Sequence, residues 1–223
     1  MKETLLIFHL IIAMVANLNA QLSNESVTSP IQKQLKQVQK NSSKLYFLVT
    51  ESFPLEYNGK KFLNNSFIES TIIDFENDQF DVELRYRFAD DEMQIMHDEK
   101  IKAIVPQKIK KLILKKNEKE QIFIPVEYSN KKSVNLGYFE LLADGNMKLL
   151  KQFQKKGKEK IKTVLFFQNK NKPAEYIKMK KSSILKLMSK KKSSVSKFIV
   201  KNKIDVKKEN DLKKVFDYYN SLP

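Results

Sequence analysis

The sequence predicts a mainly β or α+β protein, in which an antiparallel sheet is curled into a roll, barrel or sandwich and two to three helices follow at the C-terminal end. Three observations support this fold class. Apolar and polar residues alternate with period two from about residue 44 to residue 180. Turn sequences separate these runs, with no amphipathic helix long enough for a parallel crossover between them. From residue 181 onward the apolar residues recur with the period of a helix.

Residues 1–20 are predicted to be a signal peptide. One cation, Lys2, precedes an apolar run from Leu5 to Val15, which is too short to span a bilayer core of about 30 Å. Ala20 provides the small residue expected before a cleavage site, so the mature chain is expected to begin at Gln21. The alternative is an N-terminal hydrophobic helix that is retained as an anchor.

Residues 21–43 are predicted to be a polar leader, rich in Gln, Asn and Ser. Ser29, Pro30 and Gln32 match the start of a helix, with Ser as the N-cap, Pro at the first position and Gln returning the capping bond. A short helix and an unstructured leader are both consistent with this pattern.

An antiparallel β domain is predicted over residues 44–180. In its clearest strand, from Phe80 to Phe88, the even-numbered residues are apolar and the odd-numbered ones are charged, so one face is expected to be buried. Asp144-Gly145 between two apolar runs predicts a tight hairpin. The other predicted strands are Leu45–Thr50, Phe67–Phe75, Glu92–His97, Ile101–Val105, Lys111–Leu114, Gln121–Tyr128, Val134–Leu142, Met147–Phe153, Ile161–Gln168 and Ala174–Met179.

Residues 181–223 are predicted to form a basic helical segment that docks on the β domain. Serines at 182–183 and 193–194 precede apolar clusters and are candidate N-caps. A last helix is expected to begin with Asn210 as its N-cap. An isolated helix of this length is marginal in water, so its apolar stripe is expected to pack on the sheet. The stripe consists of Leu212, Val215, Phe216 and Tyr219.

The composition excludes several classes of chemistry. The chain has no cysteine, which rules out disulfides, thiolate metal sites and cysteine nucleophiles. Four glycines leave no glycine-rich phosphate loop. An exported chain without cysteine fits a bacterial envelope better than a eukaryotic secretory route, where disulfides are usual. The predicted location is the periplasm, the outer-membrane surface or the cell exterior.

The positive charge is concentrated near the C-terminus. The net charge is +16, and residues 146–223 hold 23 lysines and 6 acidic residues. This segment is either a surface for a polyanion, such as an anionic envelope surface, or a solvated surface of a lysine-rich chain. Specific nucleic-acid binding is not predicted, because the chain has only two arginines, the residues that bind phosphate and guanine bidentately, and both lie in an acidic strand. The candidate anion-binding residues are Lys186, Lys190, Lys191, Lys192, Lys197 and Lys201.

No catalytic, metal-binding or cofactor-binding residue is predicted. His97, the only histidine after the signal peptide, lies beside Asp98 and Glu99 with no nucleophile motif nearby, so it is interpreted as a solvated loop residue. A metal site at these three residues would need further ligands that the sequence does not mark. A carboxylate-based hydrolase is the enzymatic alternative, although no two acidic residues are singled out.

Three sets of short motifs stand out along the chain. They are Leu84–Tyr86 with Asp91–Met93, Gly137–Leu142 running into Asp144–Gly145, and Tyr218–Leu222. Together they resemble a group of exported, β-rich bacterial proteins of uncharacterised function that also end in a Lys-rich helical segment. The similarity covers most of residues 45–222 and departs at Arg87, where Asn is usual in that group. The resemblance implies export and a β-rich architecture, and it implies no activity and no functional residue.

The function predicted from these observations is an exported, non-catalytic binding or envelope-associated protein, with no ligand indicated by the residues. The first alternative is an accessory factor that holds an anionic envelope surface through the Lys-rich C-terminal segment, and the second is the hydrolase. The partner is expected to be an envelope protein or an anionic surface. No membrane span is expected after signal cleavage, and the sequence leaves the oligomeric state open.

Overall fold

The computed structural model describes residues 43–53, 59–116, 119–130, 133–158 and 160–223. In this part of the chain eleven strands are followed by three helices, so the predicted mainly β fold with C-terminal helices is confirmed. The predicted signal peptide lies outside the described residues, as does the polar leader except for its last residue.

The first element of the described residues is a helical segment at residues 43–48, and Pro106–Lys108 and Ser189–Lys191 form single 3-10 turns. The strands are β1 (Val49–Glu51), β2 (Ile68–Asp74), β3 (Gln79–Arg87), β4 (Glu92–His97), β5 (Lys100–Ile104), β6 (Ile109–Lys116), β7 (Lys119–Asn130), β8 (Ser133–Ala143), β9 (Met147–Lys156), β10 (Lys160–Asn169) and β11 (Glu175–Tyr176). The helices are α1 (Lys181–Leu187), α2 (Lys192–Lys201) and α3 (Glu209–Ser221).

All eleven strands belong to one antiparallel sheet, in the order β1-β5-β4-β3-β2-β6-β7-β8-β9-β10-β11. Most neighbours in the sheet are also neighbours along the chain, as expected for strands joined by short turns. The exceptions are β1, which pairs with β5, and β2, which pairs with β6. The two edge strands are the shortest, with three residues in β1 and two in β11.

Two predicted strands are wrong over most of their length. The segment Leu45–Thr50 is helical as far as residue 48, and only Val49–Glu51 pairs with β5. The strand predicted over Ala174–Met179 is reduced to Glu175–Tyr176, because the chain just before it crosses to β7. The first of these segments is short and apolar, and periodicity alone does not separate helix from strand in such a run.

The predicted helix caps are also wrong. No side chain caps α1, α2 or α3, and the serines at 182–183 and 193–194 lie within the first turns of α1 and α2. Helix α3 begins one residue before the predicted cap Asn210. Asp211 in the first turn of α3 instead accepts a hydrogen bond from the amide of Asp205 at 3.1 Å, which ties the preceding loop to the start of the helix.

The first core lies on one face of β2 to β7, and β8 and β9 add Tyr138 and Phe153 to it. In β3 the alternation predicted from the sequence is present: Phe80, Leu84 and Tyr86 are buried on this face, and Val82 is partly buried. Aromatic rings from distant strands meet there in edge-to-face contacts, which favour packing beyond the buried area alone. They are Tyr86, Phe123, Tyr138 and Phe153.

The half of the sheet from β7 to β11 curls back on itself. Ala174, just before β11, forms a parallel bridge with Tyr128 of β7, accepting the Ser129 amide at 2.9 Å and donating to the Glu127 carbonyl at 2.7 Å. The enclosed side of this curl holds a small core, which consists of Val126, Phe139, Leu150, Val164, Phe166 and Ala174. One edge of β7 therefore has two partners, β6 near its start and Ala174 near its end.

The three helices pack on the opposite face of β8 to β10. Leu149 and Leu165, whose neighbours in sequence fill the curl, contact this helical layer because successive strand residues point to opposite faces. Lys151 of β9 links the sheet to α3 through ion pairs with Glu140 at 2.8 Å and Glu209 at 3.0 Å. Apolar residues of the helices complete the core: Ile184, Met188, Val195, Ile199, Leu212, Val215 and Phe216.

The β3–β4 turn is locked onto β8 by Asp91. Pairing between β8 and β9 ends at Glu140, and the free amide of Tyr138 beyond it donates to both carboxylate oxygens of Asp91, at 3.1 and 3.2 Å. The Tyr86 hydroxyl donates to the same carboxylate at 2.5 Å. Gly137 leaves the space for this contact, since a Cβ there would lie 2.4 Å from Asp91 Oδ2.

A second side chain, Asn220 of α3, holds the β8–β9 turn in the same manner. Its amide nitrogen donates to the carbonyls of Asp144 and Met147, at 3.0 and 2.9 Å, and its oxygen accepts the Met147 amide at 3.0 Å. Gly145 lies directly beneath it with φ +138°, and a Cβ there would lie 2.6 Å from Asn220 Cγ. Motifs that stand out in the sequence thus meet in two places. At each place a polar side chain, Asp91 or Asn220, occupies the space beside a glycine, Gly137 or Gly145.

Candidate functional site

An open groove lies beside β7, at a gap in the pairing of that strand. One edge of β7 pairs with β6 as far as Phe123 and with Ala174 from Glu127 onward. Among the described residues, no strand pairs with this edge between those two points. Pro125 lies in the gap, where its missing N–H breaks no ladder. The groove has a volume of about 730 Å³.

The floor of the groove is apolar. Ile122 and Ile124 lie on the face of β7 opposite to Phe123, which belongs to the first core. Ile124 and Leu141 also contact the core inside the curl. The groove is therefore the open end of that core, and a ligand in it would contact apolar side chains on the inner side.

The rim of the groove is basic. Four lysines line it, Lys110 and Lys111 of β6, Lys148 of β9 and Lys170 after β10, together with the carboxylates of Glu127 and Asp144. The ammonium of Lys110 donates to Asn77 Oδ1 at 2.8 Å. Within the described part of the chain, none of the four lysines forms an ion pair. Their charges are available to a ligand that enters from solvent.

Sequence reasoning missed this site, because its lysines are spread over residues 110 to 170. One signal was present: Pro125 interrupts an apolar run that otherwise reads as an interior strand. Proline is tolerated in a sheet only where the strand lacks a partner on its N–H side. A proline in such a run therefore indicates a gap in the sheet.

The six lysines predicted to bind anions lie on and between α1 and α2. Lys186, Lys190, Lys192, Lys197 and Lys201 are exposed, and among the described residues none of the five has an ion-pair partner. The sixth is different. Lys191 donates to the Leu222 carbonyl at 2.6 Å, and its ammonium lies 5.3 Å from the centre of the Tyr219 ring. Lys191 therefore fixes the end of α3.

The two arginines lie side by side on the outer face of β3 but in different surroundings. Arg87 is buried and each of its three guanidinium nitrogens has a partner, with two bonds of 2.8 Å to Asp90, an ion pair of 2.9 Å with Glu92 and a bond of 3.0 Å to the Phe53 carbonyl. This pairing fixes the start of β4. Arg85 instead lies between aromatic rings beside a second pocket.

His97 is more enclosed than the sequence suggests. It ends β4, its side chain is 13% exposed, and the Tyr46 ring packs edge-on against it with centroids 4.6 Å apart. Asp98 and Glu99 form the next turn, both with positive φ, which is typical of a tight hairpin. The interpretation of His97 as a solvated loop residue is therefore wrong, because Tyr46 from the segment before β1 covers it.

Three acidic residues at the β2–β3 turn share one cation. Lys44 lies between Asp74, Glu76 and Asp78, with ion pairs of 3.0 Å to Asp74 and 2.6 Å to Glu76. In the described residues, no group of three or more His, Asp and Glu side chains is arranged to hold a metal ion.

Comparison of the chain with protein-family models, with curated proteins and with solved structures finds no match. The site is therefore interpreted from its own geometry. None of the helices in the described part of the chain has both the length and the apolar character that a membrane crossing requires.

Proposed function

We propose that this chain is a non-catalytic binding module of the cell envelope, and that its groove beside β7 binds an anionic amphiphile, an apolar chain with a phosphate headgroup. The observation that carries the proposal is the combination of an apolar floor and a rim of four lysines without ion pairs in the described residues. The apolar chain of the amphiphile would contact the floor, and its phosphate would contact the lysines of the rim.

The size of the groove suits such a ligand. Its volume of about 730 Å³ falls within the range of about 300–1,000 Å³ that is usual for small-molecule sites. Burial of an apolar chain against Ile122, Ile124 and Leu141 contributes about 25 cal/mol per Å² removed from water. The affinity is therefore expected to rise with the length of the chain until the floor is covered.

The charge of the rim favours a phosphate over a cation or a neutral headgroup. Lysine ammonium groups bind phosphate as point charges, without the planar geometry that arginine imposes. The carboxylates of Glu127 and Asp144 lie in the same groove, so the headgroup is expected at the lysines and away from these two acids. The hydrolase alternative names no pair of acidic residues and stays a prediction.

The test is calorimetric titration of the protein with dodecyl phosphate below its micellar concentration. We expect saturable binding that weakens as salt is added, and no binding of dodecyltrimethylammonium, which has the same chain and the opposite charge. Replacing two rim lysines, Lys111→Gln with Lys148→Gln, is expected to weaken binding by about tenfold, which corresponds to the loss of ~1.4 kcal/mol.

A matched control comes from the C-terminal lysines. Lys190→Gln with Lys192→Gln removes the same amount of charge from exposed positions outside the groove, and it is expected to change the dissociation constant less than about twofold. Equal weakening by both double variants would show that only net charge matters and would refute the groove as the binding site. Absence of binding by the unaltered protein would refute the proposal directly.

The five exposed lysines of α1, α2 and the turn between them favour a second candidate, attachment to an anionic membrane surface. Each lysine near such a surface contributes about 1 kcal/mol at low salt. Vesicles containing phosphatidylglycerol are expected to retain the protein at low salt and release it at high salt, whereas phosphatidylcholine vesicles do not retain it. If Lys190, Lys192, Lys197 and Lys201 are all changed to Gln without effect on retention, this candidate is refuted.

The envelope location belongs to the same proposal and is supported by the predicted signal peptide at residues 1–20. Mass spectrometry of the protein from its native host is expected to find a mature chain that begins at or near Gln21. Soluble protein that retains Met1 would contradict export and would leave the groove proposal to be tested on its own.

A further inference from the structure

The surroundings of Arg85 are those of a guanidinium held ready for a ligand. Its carbon lies 4.1 Å from the centre of the Phe62 ring and 4.4 Å from that of the Phe67 ring. Its Nε donates to Gln94 Oε1 at 2.8 Å. Two aromatic rings and one hydrogen bond therefore fix the plane and the direction of the group, which lowers the entropy lost on binding.

The terminal nitrogens of Arg85 have no protein acceptor in the described part of the chain, neither a hydrogen bond nor an ion pair. Its neighbour Arg87 uses both kinds of contact fully, so the difference does not come from a lack of acids nearby. Partial burial is the main cause that lowers the pKa of Arg85, and the charge of Arg87 is the second. A lowered pKa is expected for a cation whose charge is not compensated.

A pocket of about 300 Å³ adjoins Arg85. Its other walls combine apolar side chains, Phe53, Phe62 and Ile101, with polar ones, Ser52 and Gln94. Arg85, Arg87 and Lys61 supply its charges, and none of its described lining residues is acidic. Gln94 is itself held in place, since its amide nitrogen donates to Ser52 Oγ and to Glu92 Oε1, both at 2.8 Å.

We propose that this pocket is a second binding site, separate from the groove, which takes the carboxylate of a small organic acid on the terminal nitrogens of Arg85. A planar carboxylate accepts two parallel N–H bonds from a guanidinium edge, a geometry that a lysine does not offer. The apolar walls contact the organic part of the acid. The pocket volume lies at the lower end of the usual range for ligand sites, so the ligand is small.

The composition of the chain allows a direct test. Arg85 and Arg87 are its only arginines, so protein labelled with ¹⁵N-arginine gives two Nε–Hε signals, which the Arg85→Lys variant assigns. On titration with benzoate, the Arg85 signal is expected to shift in a saturable way while the Arg87 signal stays in place. Arg85→Lys is expected to weaken benzoate binding by at least about tenfold in calorimetry.

Three results would overturn the proposal. The first is an Arg85 signal that does not move in up to about 10 mM benzoate, a measurement on the unaltered protein that does not depend on how any variant folds. The second is an equal shift with benzyl alcohol, which would mean that the pocket takes the ring and not the carboxylate.

The third result concerns Glu56, which lies in the part of the chain that the structure does not describe, between the pocket residues Phe53 and Lys61. If the Glu56→Gln variant binds benzoate and the unaltered protein does not, the chain supplies its own carboxylate to Arg85, and the proposal is wrong. Equal binding by the two proteins supports the proposal. Dodecyl phosphate is expected to bind Arg85→Lys as it binds the unaltered protein, so the groove and the pocket are tested independently.

Discussion

Substitution of Gly137 by alanine tests the contact that ties the β3–β4 turn to β8. Gly137 is not one of the glycines with a positive φ, so alanine fits its backbone conformation and only the space is at issue. The added Cβ would lie 2.4 Å from Asp91 Oδ2 and 3.1 Å from the Tyr128 ring. The ring can give by a few tenths of an ångström, but the carboxylate has to move by about 1 Å to reach an ordinary C···O separation.

That movement breaks the hydrogen bonds that hold Asp91. The bonds from the Tyr138 amide to Asp91 are already 3.1 and 3.2 Å long, so a shift of about 1 Å removes them and weakens the bond from the Tyr86 hydroxyl. A hydrogen bond to a charged group contributes about 1.5–3 kcal/mol, so Gly137→Ala is expected to cost about 3 kcal/mol of unfolding free energy. For a domain of this size the melting temperature would fall by about 6–12 °C.

The assay is urea unfolding at neutral pH, followed by far-ultraviolet circular dichroism because the chain has no tryptophan. Asp91→Gly serves as the second background, since glycine accepts the positive φ of 58° at this position and removes the carboxylate. In that background Gly137→Ala is expected to cost less than about 1 kcal/mol. The same cost in both backgrounds would refute the interpretation of Gly137 as the receptor of Asp91.

Three further predictions concern Asp91 itself and two other buried side chains. Burial raises the pKa of Asp91 to about 6, so the native state holds this proton more tightly than the unfolded chain does. The contribution of Asp91 to stability therefore falls as the pH rises from about 4 to about 6, and urea midpoints at these pH values are expected to show a loss on the order of 2 kcal/mol relative to Asp91→Asn. Arg87→Ala leaves Asp90 and Glu92 without their partner, so calorimetry is expected to show a loss of about 3–5 kcal/mol; a loss below about 1 kcal/mol would contradict the pairing. Phe216 of α3 is fully buried, and Phe216→Ala is expected to lower the stability by about 3–5 kcal/mol in a single unfolding transition, whereas separate melting of the helices would contradict their packing on the sheet.

The sequence predicted the strands well because each face of the sheet meets a different environment. Strand β4 has the predicted bounds, Glu92–His97, and β3 differs from its prediction by one residue at each end. The segment Leu45–Thr50 is apolar without this alternation, and it is helical as far as residue 48, from where Leu45 and Leu48 still reach the first core. Whether a short apolar run pairs with a strand or packs on the core as a helix depends on the rest of the fold.

The candidate sites were less accessible to sequence reasoning than the fold. The lysines of α1 and α2 are clustered in the sequence, and this clustering predicted an anion-binding surface. The lysines of the groove are far apart in the sequence and come together only through the curl of the sheet. The same holds for the Arg85 pocket, since Phe53, Phe62 and Gln94 come from separate segments. The motifs around Gly137 and Gly145 were visible in the sequence, but their partners Asp91 and Asn220 lie 46 and 75 residues away.

The two margins of the sheet bear on how this chain can meet other molecules. A sheet of eleven strands would ordinarily have two long edges with unpaired backbone donors and acceptors. Strands of other molecules could pair with such edges and cause aggregation. Here the described margins taper to three residues in β1 and two in β11. Next to β11, however, residues 160–164 of β10 have no described strand partner on that side, because β11 pairs only with Phe166 and Phe167. This part of β10 is therefore where the sheet offers a longer row of backbone groups to a strand of another molecule, whereas β1 and β11 themselves offer almost none.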